Sequence, residues 1–133
     1  MQNNEIPPVP EINPPEPQKS SLFLNLMRVM VIAGVLSVVA GIINLFAAQT
    51  PSLAPKTSLV DGLFNIGMGV MLVICSRFLT KGRALVIWLF GATILGSVVY
   101  SYAMGRGANY IIALAGGYVL VQLYNLKKNK ELV

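Results

Sequence analysis

Charged residues are missing from four long stretches of this chain: 29–55, 62–76, 84–105 and 107–126. A helix needs about 20 mostly apolar residues to cross the hydrocarbon core of a bilayer. Three of the stretches have that length, and the second approaches it once Leu59 to Asp61 are included. Across the chain only 11% of residues are charged, against about 25% in a soluble domain. These runs predict an all-α membrane protein with four transmembrane helices in an up-down antiparallel bundle. The expected spans are about 29–48, 58–76, 84–104 and 108–126.

The segments outside the spans agree with this reading. Residues 1–21 hold six prolines between Pro7 and Pro17. Proline fixes φ and removes a backbone donor, so a disordered or polyproline-like tail is expected. The tail lacks the basic start, short apolar run and cleavage site of a signal peptide. It matches the loose PxxP pattern twice, as any proline-rich spacer does. Residues 22–28 read as an interfacial lead-in to the first span, with Arg28 reaching back to the headgroups. Pro51 and Pro55 end the first span, Gly82 turns the chain between Lys81 and Arg83, and Gly105-Arg106-Gly107 turns it again. A basic segment, 127–133, closes the chain.

Orientation follows from Lys and Arg. If the helices alternate, Lys19, Arg28, Arg77, Lys81, Arg83, Lys127, Lys128 and Lys130 share one side, and Lys56 and Arg106 the other. Eight against two places both termini in the cytoplasm by the positive-inside rule, and the expected location is a bacterial inner (plasma) membrane. Phe23, Phe78, Trp88 and Tyr124 then form the inner aromatic belt, and Phe46, Tyr100, Tyr102 and Tyr110 the outer one. A weak repeat sets Gly69 on Gly117, Asp61 on Asn109 and Leu72 on Leu120, which suggests two tandem hairpins.

In lipid, helices associate through small residues and interhelical hydrogen bonds rather than through hydrophobicity. Gly34, Ser37, Gly41, Asn44 and Ala48 form such a stripe on the first span; Gly62, Asn65, Gly69 and Ser76 form one on the second. Gly116, with Gly117 beside it, marks the fourth span, and Ala92 and Gly96 the third. Asn44 and Asn65 are expected to face each other across the first two helices. Together with Asp61, Arg106 and Asn109 they predict a polar cluster toward the outer face. Asp61 is the only acid in or beside a span. An ionisable group there is a functional-site hypothesis by default, but in the first turn of a helix it also suits a cap or a partner for Arg106.

The function classes narrow accordingly. The chain has no His and a single Cys, Cys75. It therefore lacks the commonest general base and metal ligand and cannot form an internal disulfide. No enzymatic role, catalytic residue, metal or cofactor is expected. The net charge of +5 sits at helix ends rather than on one face, so nucleic acid is not expected as a partner. The expected partners are the bilayer and either another membrane protein or further copies of this chain. The leading expectation is an accessory or interaction subunit, or a self-associating bundle. The alternatives are a small oligomeric transporter or channel using Asp61, and a holin- or immunity-type protein. Four spans with short loops resemble the architecture of small multidrug transporters. Those carry an essential glutamate in the first helix, and the first span here has no acidic residue, which separates the chain from them.

Overall fold

Ser20 opens the first helix: its side-chain oxygen accepts the Phe23 N–H at 3.3 Å, satisfying one of the donors a helix start leaves free. The structure, a computed structural model, describes residues 7–11, 19–50, 58–106 and 110–133. Among them are four helices, α1 (Ser21–Ala48), α2 (Ser58–Thr80), α3 (Leu85–Ala103) and α4 (Tyr110–Lys128). Three stretches, Ser21–Ala48, Leu59–Thr80 and Leu85–Ala103, are long and apolar enough to cross a membrane. The described part of α4 is not among them. Gln122, Asn125, Lys127 and Lys128 dilute its 19 residues. Residues 7–11 are exposed and have no regular secondary structure; the rest of the expected tail up to residue 18 lies outside the described residues.

α1 and α2 pack most closely. A methyl group on Gly69 would stand 2.5 Å from the carbonyl oxygen of Gly34, and one on Gly41 would stand 2.7 Å from that of Gly62. Both distances are shorter than atoms tolerate, so only glycine lets the two backbones come this near. The pairs Gly34–Gly69 and Gly41–Gly62 lie seven residues apart on each helix and fix an antiparallel register. Between them the Ser37 hydroxyl donates to the Asn65 carbonyl at 2.8 Å. Small residues and an interhelical hydrogen bond thus share one seam, which is how helices bind in lipid.

The second hairpin is built differently. Gly116 meets Ile94, whose side chain a methyl would approach to 2.8 Å, but Gly117 has open space where a Cβ would stand. The expectation that both glycines pack is corrected to Gly116 alone. On α3 the buried residues are Val86, Phe90, Thr93 and Ser97. Gly96 has open space beside it and Ala92 is exposed. The Ala92–Gly96 stripe therefore faces away from the bundle. α3 packs with larger residues, and the Thr93 hydroxyl bonds back to the Leu89 carbonyl.

The buried core gathers at the end of the bundle where the described chain enters α1 and leaves α4. Phe23, Met30, Leu79, Val86, Leu123, Leu126 and Cys75 are fully buried there. Phe23 and Leu26 lie in the expected lead-in; residues 22–28 form the first turns of α1 and turn these two side chains into the core, while Leu24, Asn25 and Arg28 are exposed. For the same reason Phe23 is a core residue and not a belt residue. The residues after α4 also fold back. Lys130 takes φ 61°, and the Glu131 N–H reaches the Leu126 carbonyl, which is the Schellman way of closing a helix. Leu132 is then buried. The Val133 N–H bonds the Gly82 carbonyl at 2.7 Å, and the Ala84 N–H bonds the Val133 carbonyl at 2.8 Å.

Side chains fasten the same end. The Ser20 hydroxyl donates to the Glu131 carboxylate at 2.8 Å. Lys19 donates to the Thr80 carbonyl at 3.0 Å and lies 4.8 Å from the Phe23 ring centre. A cation at the carbonyl end of α2 suits the helix dipole. Replacing Ser20 with alanine should remove both a cap and the Glu131 contact. We expect a loss of about 1 kcal/mol of stability, read from denaturant titration in mixed micelles. Ser20→Asn, which keeps the cap, should recover most of it.

Candidate functional site

The bundle's other end carries an ion pair. Asp61 is the fourth residue of α2, and Tyr100 is the fourth from the end of α3, so the antiparallel pair brings them level. The Tyr100 hydroxyl donates to one Asp61 carboxylate oxygen at 2.7 Å. The Arg106 guanidinium donates to the other and forms a salt bridge with it. The Phe64 ring, one turn deeper on α2, stacks on Tyr100 with centres 3.8 Å apart and planes 8° from parallel.

Arg106 reaches this position because of how α3 ends. Gly105 has φ 69°, a conformation that costs a residue with a Cβ roughly 1–2 kcal/mol. The Gly105 N–H bonds the Tyr102 carbonyl, and the Arg106 N–H bonds the Ser101 carbonyl. This reversal turns the chain across the end of α3 and sends Arg106 toward α2. The hydrogen bond and the charge of Asp61 push the Arg106 guanidinium above its already high ordinary pKa, so it remains charged at any physiological pH. The Asp61 side chain is 13% exposed and that of Arg106 55%. A pair with one partner so open to solvent is screened and stabilises little by itself. Its effect is to set where α2, α3 and the turn after α3 meet.

The structure divides the expected polar cluster. It joins Asp61 to Arg106. Asn109 lies outside the described residues. Stepping three residues along each helix from the Gly41–Gly62 pair places Asn44 level with Leu59, and the same step places Asn65 level with Val38. The two amides are therefore offset by six residues, roughly 9 Å along the axis. The expectation that they face each other is corrected. α1 overruns the start of α2 by about three residues, so counting both depths from a common outer end misjudges the register. Tyr100, expected in the outer belt, is instead the residue that holds Asp61. Its signal in the sequence was its depth: it sits as far inside the C-terminal end of α3 as Asp61 sits inside the N-terminal end of α2.

A second feature lies deeper. All four helices surround a cavity of about 360 Å³. Phe64 and Ser37 border its part nearer Asp61, and Met30, Leu72, Phe90 and Val119 its part nearer the buried core. Among the described residues no three His, Cys, Asp or Glu side chains come together as metal ligands would. Cys75 is buried in the core, away from this cavity.

Compared with known proteins, the chain matches no family model, no curated protein and no solved structure. Its class is set by the fold: an all-helical chain with three helices suited to cross a membrane.

Proposed function

We propose that this protein is a small polytopic membrane protein that acts as an accessory or interaction subunit of a membrane complex, or as a self-associating bundle. In this reading α4 is the fourth span. It runs back along α3 with Gly116 against Ile94, and its 19 residues extend about 28 Å, close to the thickness of the hydrocarbon core. Both termini then lie on the cytoplasmic side of a bacterial plasma membrane, as the Lys and Arg distribution indicates. Thiol labelling with an impermeant reagent, in a Cys75-free background, checks the topology. Cysteines at positions 20 and 128 should label only from the inside and one at position 52 only from the outside; the reverse pattern would refute it.

The observation that carries this reading is the engagement of Asp61. The one acid of the spans is held by Tyr100 and Arg106, a structural use that joins elements. What the bundle offers outward is apolar: Ile32, Leu36, Ile43 and Phe46 of α1 and Trp88 of α3 are exposed. Such faces suit lipid or another membrane protein. Gentle solubilisation and affinity capture should return a stoichiometric membrane partner or an oligomer of this chain. In that case Asp61→Asn leaves the association intact and lowers stability by no more than about 1 kcal/mol, measured in mixed micelles.

The central cavity favours a second reading, a small oligomeric transporter or channel in which the Asp61 site serves the transported species. That reading requires Asp61→Asn to abolish flux in reconstituted vesicles while assembly is unchanged. A monomeric, unpartnered chain without flux would refute both.

A further inference from the structure

The cavity's polar lining is layered. From the Asp61–Tyr100 contact, four residues inward on α2 lead to Asn65 and four back on α3 lead to Gly96, neighbour of Ser97. Ser37 joins the same layer through its bond to the Asn65 carbonyl. Ser97 is 5% exposed, and Asn65 is half-buried. Both line the cavity, and among the described residues neither the Ser97 hydroxyl nor the Asn65 side-chain amide has a hydrogen-bond partner. The layer lies roughly 10 Å below the outer end of α2, where lipid offers no partner either.

Unpaired polar groups at this depth are costly, and each of these has a proton to donate. A carbonyl oxygen has two lone pairs and can accept from both. The rest of the wall is carbon: Met30, Met68, Leu72, Phe90 and Val119 run from the polar layer toward the tightly packed end. The volume falls in the range of ligand pockets, about 300–1,000 Å³. A route in exists as well. α1 and α4 touch at few points, and Ala33 and Ala115, one from each, border the cavity and are exposed.

We propose that this cavity binds a neutral lipophile bearing one carbonyl group, such as a long-chain ketone or ester, entering from the bilayer between α1 and α4. The carbonyl lies against Ser97 and Asn65, and the alkyl body fills the methionine- and leucine-lined part. The site concerns what the bundle holds rather than what it joins, so it stands under either reading of the protein's role.

The test is competitive photolabelling of the full-length chain in lipid nanodiscs with a diazirine-bearing methyl alkyl ketone, mapped by mass spectrometry. Labelling should saturate, fall on Met68, Leu72 or Val119, and be displaced by methyl octyl ketone at roughly five-fold lower concentration than by decane. Ser97→Ala combined with Asn65→Leu should erase the difference between the two competitors. Ala115→Phe should close the entrance and abolish the saturable label. Should that variant fail to fold, competition on the unaltered chain still decides. Unsaturable labelling spread over Leu36 and Leu95 would overturn the proposal, as would equal displacement by ketone and alkane. So would labelling that falls with protein concentration instead of competitor, because a second copy would then occupy the cavity.

Discussion

Gly69→Ala is expected to cost the protein roughly 1–3 kcal/mol, while Gly67→Ala, two residues away, is expected to be neutral or slightly stabilising. A methyl at Gly69 would stand 2.5 Å from the Gly34 carbonyl and 2.8 Å from the Val38 amide nitrogen. These are backbone atoms of a rigid helix, so α1 and α2 must separate to admit it. Separation stretches the Ser37–Asn65 bond and loosens the Gly41–Gly62 contact further along the seam. At Gly67 nothing lies within 4 Å, and alanine's better helix propensity acts unopposed. Unfolding in mixed micelles gives both values. Equal costs at the two positions would show that the glycine seam is not where the hairpin closes.

Leu123→Ala should cost more, roughly 2–5 kcal/mol. Leu123 is fully buried among Leu79, Val86, Leu126 and other core residues, at the end where Ser20 and Glu131 already hold the chain together. Little there can collapse into the space that a missing isobutyl group leaves, so the cavity term adds to the lost contacts. Leu95 is 65% exposed on α3, and Leu95→Ala should change stability by no more than about 0.5 kcal/mol. A similar loss at both leucines would mean that the apolar surface, rather than this end core, holds the bundle.

The sequence made the helices legible because bilayer thickness and charge leave few alternatives. The expected spans 58–76 and 84–104 lie close to α2 and α3. Their ends differ where a helix continues past its apolar run: α1 starts at Ser21 and α2 runs to Thr80, since helical hydrogen bonding does not stop where the apolar residues do. Gly34, Gly41, Gly62 and Gly69 could be singled out because small residues at seven-residue spacing have few uses other than close approach. The register between the two helices could not. It depends on which glycine meets which, and a stripe reads the same at several offsets, so the pairing of Asn44 with Asn65 failed. Tyr100 was hidden by its own chemistry. A tyrosine near an interface is ordinary, and only the position of Arg106 beyond Gly105 shows that the carboxylate between them is shared.

The unequal hairpins bear on how the chain is made. Once α2 has left the ribosome, the glycine seam is complete and needs nothing that follows it. Closure of the opposite end waits for Glu131, Leu132 and Val133, which bond to Ser20, pack into the core and pair with Gly82. Between these events α1 and α2 travel as a finished pair, while α3 and α4 lack their final anchor. A nascent chain arrested after α2 should therefore already show Gly34-to-Gly69 proximity by cysteine crosslinking, and the junction of residue 20 with residue 131 should form only once residues 131–133 have emerged.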